Sequence, residues 1–86
     1  MLRKHWRIKM RLVKFIECEV THDKMRERIA CYINPAHVVY IEEDDEFKGY
    51  TFIGLVGANP TIVKGTAEEV KEKLEGKKWL KTLHLQ

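Results

Sequence analysis

Basic and aromatic residues are interleaved near both ends of this 86-residue chain. Arg3, Lys4, Arg7, Lys9, Arg11 and Lys14 fall within the first fourteen residues, with Trp6 among them and no acid. Lys77-Lys78-Trp79 repeats the pairing near the other end. Cations neutralise phosphate and aromatic faces stack on bases. Arg3, Lys4, Trp6, Arg7, Lys9, Arg11, Lys77, Lys78 and Trp79 are therefore candidate nucleic-acid contacts. The competing reading is solvated surface, because Lys and Arg also protect small β-proteins from edge-to-edge pairing.

Charge is arranged in blocks. Residues 1–14 carry +6, so the other 72 carry −3 within a net charge of +3. Glu42-Glu43-Asp44-Asp45-Glu46 is an acidic run, and Lys71, Lys73, Lys77, Lys78 and Lys81 make the C-terminal segment basic again. Such a pattern suits nucleic acid or pairing with a second copy. The acidic run repels a phosphate backbone within a Debye length of about 8 Å, which favours the second copy. The run lacks the D-x-D-x-D-G spacing of a calcium loop. Cys18, His22, Cys31 and His37 lack the paired spacing that zinc requires, so no metal site is assigned. There is no G-x-S-x-G, H-E-x-x-H or phosphate-loop motif. The expectation is a non-enzymatic protein with no catalytic residue and no cofactor.

Length and composition bound the rest. At 10.2 kDa, with 44% hydrophobic and 34% charged residues, the chain reads as one small domain over 1–86. Residues 1–10 are a basic arm or strand extension, and 77–86 an apolar and basic tail. A chain of this size buries only about 60–65% of its unfolded surface, so its core is thin. No run approaches the roughly 18–20 apolar residues of a membrane span, so no membrane partner is expected. The basic start lacks the apolar stretch of a secretory signal. Two cysteines without such a signal point to a reducing cytoplasm, bacterial or that of a host cell.

A period of two sets the first elements. Ile8, Met10, Leu12, Ile16, Cys18 and Val20 share one phase, which should face a core, while Val13 and Phe15 interrupt the polar phase and imply cover on both sides. Glu27 to Ile33 alternates again with Ile29, Cys31 and Ile33 apolar, so residues 11–33 read as a β-hairpin around Thr21-His22-Asp23-Lys24. Pairing Val20 with Ile29 would set Cys18 opposite Cys31. Asn34-Pro35 turns the chain into a buried strand, Val38 to Ile41, which ends in the acidic block as a loop. Tyr50 to Val56 and Thr61 to Lys64 are further strands, with Gly54 marking a bulge or a close approach. Thr66-Ala67-Glu68-Glu69 is a capping box opening a helix over 66–75, with Gly76 as its stop. The expected fold is mainly β (α+β): a small antiparallel sheet or SH3-like open barrel of about five strands with this one helix.

The stretch Ile33-Asn34-Pro35-Ala36-His37-Val38-Val39-Tyr40-Ile41-Glu42-Glu43, the strand from Tyr50, and Ile62-Val63-Lys64 followed by Thr66-Ala67-Glu68-Glu69-Val70 resemble the short FlbD-type flagellar and swarming-motility proteins. The Asn-Pro turn and following strand are also similar to part of the β-rich LytTR-type domain, and small phage proteins share such stretches. The resemblance implies a small non-catalytic bacterial or phage accessory protein acting through contacts. Arg28, Asn34, His37 and Tyr40 are the candidate contacts to a protein partner or small ligand. Two edge strands and the apolar tail further suggest a homo-oligomer.

Overall fold

A computed structural model describes residues 11–76. Five strands, β1 (Val13–Thr21), β2 (Lys24–Ile33), β3 (Val38–Glu43), β4 (Tyr50–Leu55) and β5 (Thr61–Lys64), precede one helix, α1 (Ala67–Glu75). They form a single sheet in the order β2-β1-β5-β4-β3, antiparallel at every pairing. The fold is therefore mainly β, with its helix in the C-terminal half, as the periodicities predict. No helix among the described residues is long and apolar enough to cross a membrane.

The sheet cannot be flat. Its two edge strands, β2 and β3, are joined by only four residues, a single 3-10 turn over Pro35–His37 capped by Asn34. Five Cα steps reach at most about 18 Å, and the turn shortens them. Five strands laid flat span about 19 Å at roughly 4.8 Å each, before any offset along the strands. The edges must approach one another. They do so beside the link, where Tyr32 and Ile33 of β2 line one depression with His37, which leads into β3, and Leu55 of β4.

Curling gives the sheet an inner and an outer face. Phe15, Ile33, Ile53 and Val63 point inward and pack with Val70 of α1. Thr51 is also buried, and its hydroxyl donates to the Gly65 carbonyl at 2.8 Å. The capping box forms as the sequence predicts: the Glu69 amide donates to the Thr66 hydroxyl, and the Thr66 amide donates to the Glu69 carboxylate. Gly76 takes the left-handed conformation (φ 70°) that ends the helix at low cost only for glycine.

Three expectations are corrected. Cys18 pairs with Glu27, not with Cys31, because the hairpin closes tightly through His22 and Asp23, both at positive φ, and Val20 meets Met25. A register irregularity between Ile16 and Cys18 then places two residues of β2, Arg28 and Ile29, against one of β1, Glu17. The core phase of β1 is the other one: Val13 and Phe15 face inward, whereas Leu12 and Val20 are exposed. β3 is an edge strand with Val39 and Tyr40 exposed, and it runs on through Glu42 and Glu43. Glu43 can lie in a strand because its carboxylate accepts from the Ala67 amide at the start of α1, at 3.1 Å.

Candidate lysine cleft

β1 and β5 are paired only at Glu17–Val63 and Cys18–Ile62. Upstream of Glu17, β1 stays with β2 and has no pairing to β5, and the Lys73 side chain of α1 reaches the β1 backbone there. Two adjoining depressions result. The larger, about 530 Å³, lies along α1 and includes Phe15, Lys64, Glu69 and Lys73. The smaller, about 220 Å³, is lined by Lys14, Phe15, Ile16, Lys64 and Lys73, with no carboxylate. Three lysines from β1, β5 and α1 thus line one cleft.

Local contacts fix the side chains of Lys73 and Lys64. The Lys73 ammonium donates to the Lys14 carbonyl at 2.7 Å and stands 4.6 Å from the centre of the Phe15 ring. Arg11 backs this corner by donating from Nη2 to the Lys73 carbonyl at 2.8 Å, a cation on the negative end of the helix dipole. Lys64 pairs with Glu27 at 2.8 Å, and that carboxylate raises the Lys64 pKa first by accepting its hydrogen bond and then by its charge. Among the described residues Lys14, Arg11 and Lys73 have no carboxylate partner within ion-pair distance. An ammonium carries three donors, so Lys73 retains capacity for an anion after serving the Lys14 carbonyl.

Acids gather at the other end of α1. Glu43 caps the first turn, and the Asp44 carboxylate accepts from the Glu46 and Phe47 amides at 2.7 and 3.0 Å. The acidic run is thus partly a turn-forming device. Six helical residues, about 9 Å along the axis, separate the capped Ala67 from Lys73. Cys18 and Cys31 are free thiols on opposite faces of the sheet, both with pKa values raised, chiefly by burial.

Of the residues assigned to a partner or ligand, Asn34 and His37 line one depression of about 190 Å³ with Tyr32 and Leu55. Asn34 spends its side chain on the Ala36 amide at 2.9 Å. Arg28 lies in the irregular stretch of β2, 3.8 Å from Glu19, and the Tyr40 ring lies on Gly54. The structure does not gather these four. Of the nucleic-acid candidates, Arg11 stands at the cleft's corner, against Gly76. Arg3, Lys4, Trp6, Arg7, Lys9, Lys77, Lys78 and Trp79 lie outside the described residues. The contribution of Lys64 was not readable from the sequence, since a lone lysine at the end of a four-residue strand carries no signal. No family model, curated protein or solved structure matches the chain.

Proposed function

We propose that this chain is a small non-enzymatic binding protein that takes up nucleic acid through its phosphates at the lysine cleft. The observation that carries this reading is the convergence of Lys14, Lys64 and Lys73 around one carboxylate-free depression. Arg11 at its corner touches Gly76, and the sequence on either side of residues 11–76 is basic. Those flanks carry +4 and +3, whereas residues 11–76 hold all thirteen acids and only nine Lys and Arg. Glu43 of the acidic run caps Ala67, about 9 Å along α1 from Lys73 and so about one Debye length away at physiological salt. Its repulsion is therefore weakened at the cleft, which lessens the argument for preferring a second copy.

A second reading, an accessory protein that meets a protein partner or its own copy, rests on the outer face of the sheet. Tyr40 (44% exposed) and Val20 (47% exposed) lie there around Ile62 and Phe52. The free thiols suit a cytoplasmic setting for either reading.

Fluorescence anisotropy with a labelled 20-nucleotide DNA at 0.15 M salt tests the proposal on the full chain. Binding that weakens at least tenfold when Lys14, Lys64 and Lys73 are all changed to Ala supports it. Equal binding by that variant, no binding by the parent chain, or preference for vesicles of anionic lipid over the oligonucleotide would overturn it.

A further inference from the structure

We infer that the nucleic acid is single-stranded and lies across the outer face of the sheet, its bases stacking on Tyr32 and Tyr50 while its phosphates meet Lys14 and Lys64. This rests on the lysine-cleft reading and adds to it the strand state and the stacking platform. Directly paired residues on antiparallel strands project from the same face. Lys14 pairs with Tyr32, and Lys64 pairs with Tyr50. The two pairs share a face, because Cys18 pairs with Ile62, Lys14 lies four residues before Cys18 on β1, and Lys64 lies two after Ile62 on β5. Each cation therefore stands beside an aromatic ring on the surface that does not hold the core. Tyr32 is 61% exposed, so its ring is available to a base.

The same surface is ill suited to a duplex. Stacking needs base faces that a double helix keeps covered, while single strands present them freely. Reading a major groove calls for a helix or a ribbon that enters it. The described helix carries Glu68, Glu69, Glu72 and Glu75 against Lys71 and Lys73, too acidic overall to enter a groove between phosphate backbones even though Lys73 near its end lines the cleft. The surface offered to the polymer is then the sheet, where Lys14 and Lys64 on the adjacent strands β1 and β5 are flanked by Tyr32 and Tyr50 on their outer neighbours.

The test compares a 20-nucleotide oligo-dT with a 20-base-pair duplex on the full chain, and then measures Tyr32→Ala, Tyr50→Ala and the two Phe replacements. We expect the single strand to bind at least about fivefold more tightly than the duplex. Each Ala variant should lose about fivefold or more, each Phe variant should retain binding, and the slope of log affinity against log salt should stay unchanged in all four. Equal or tighter binding of the duplex would overturn the inference, as would Ala variants that circular dichroism shows folded and that bind as the parent does. Should neither nucleic acid bind the parent chain, the lysine-cleft reading itself falls; should only the strand preference or the tyrosine dependence be missing, the cleft stands and the platform falls.

Discussion

Lys64 on β5 reaches Glu27 on β2 at 2.8 Å although β1 lies between their strands. The ion pair arches over β1 near Cys18, whose cross-strand partners are Glu27 and Ile62. It explains how a residue on the outer face is only 4% exposed without belonging to the inner core. It also couples the cleft to a carboxylate, because a phosphate approaching Lys64 competes with Glu27.

Removing that competitor should strengthen binding. Glu27→Gln leaves Lys64 free, and affinity for a single-stranded oligonucleotide at 0.1 M salt should rise about two- to fivefold, the scale of an exposed ion pair. The thermal midpoint should hardly move. Titration of the variant beside the parent checks this, and weaker binding would show that Glu27 holds Lys64 in its working position instead of restraining it.

The thiols and Lys64 predict an alkaline loss of stability. Burial, followed by the charge of Glu27, raises the Cys18 pKa, and burial raises that of Cys31. The native state therefore keeps protons that the unfolded chain releases from about pH 8.5, so stability falls as pH rises through the thiol range. Lys64 acts in the same direction at higher pH, since Glu27 holds its proton more tightly in the native state. Denaturant midpoints should drop between pH 8 and pH 10, and both thiols should label slowly in native protein and rapidly in denaturant. A Cys18–Cys31 disulfide in native protein would contradict the register, which sets the two on opposite faces.

Tyr40 and Gly54 form another dependent pair. They are cross-strand partners on β3 and β4, and a Cβ on residue 54 would stand 2.6 Å from Cζ of the Tyr40 ring. Gly54→Ala should therefore cost about 1–3 kcal/mol through overpacking, a fall in thermal midpoint of roughly 4 °C or more. With Tyr40→Ala already present the same change should cost much less. Additive losses in that double-mutant cycle would show that the ring does not rest on the glycine.

Much of the fold is legible in the sequence wherever one local rule acts alone. Thr66, Glu69 and Gly76 specify α1 because capping is decided within a single turn, and Asn34-Pro35 marks the short link between the two edge strands. β1 resists such reading because it is apolar on both phases. Period alone cannot say whether Phe15 or Cys18 faces the core, and the choice comes from α1, fifty residues away. The hairpin register is hidden for a related reason. His22 and Asp23 are less overt than Asn-Gly as a two-residue turn, and the extra residue of β2 moves Ile29 out of phase. The site is the least legible part. Lys14, Lys64 and Lys73 belong to three elements, and they meet because β1 parts from β5 at Glu17 and Lys73 of α1 reaches the Lys14 carbonyl.

The salt dependence of binding tests the cleft most directly, because it counts phosphate contacts without presuming a sequence preference. Each cation that neutralises a phosphate of a single strand contributes about 0.7 to the slope of log affinity against log salt. Changing Lys14, Lys64 and Lys73 together to Ala should flatten the slope measured on oligo-dT by about 2, with the fold retained by circular dichroism. An unchanged slope in the folded triple variant would contradict the assignment of the lysine cleft as the phosphate site.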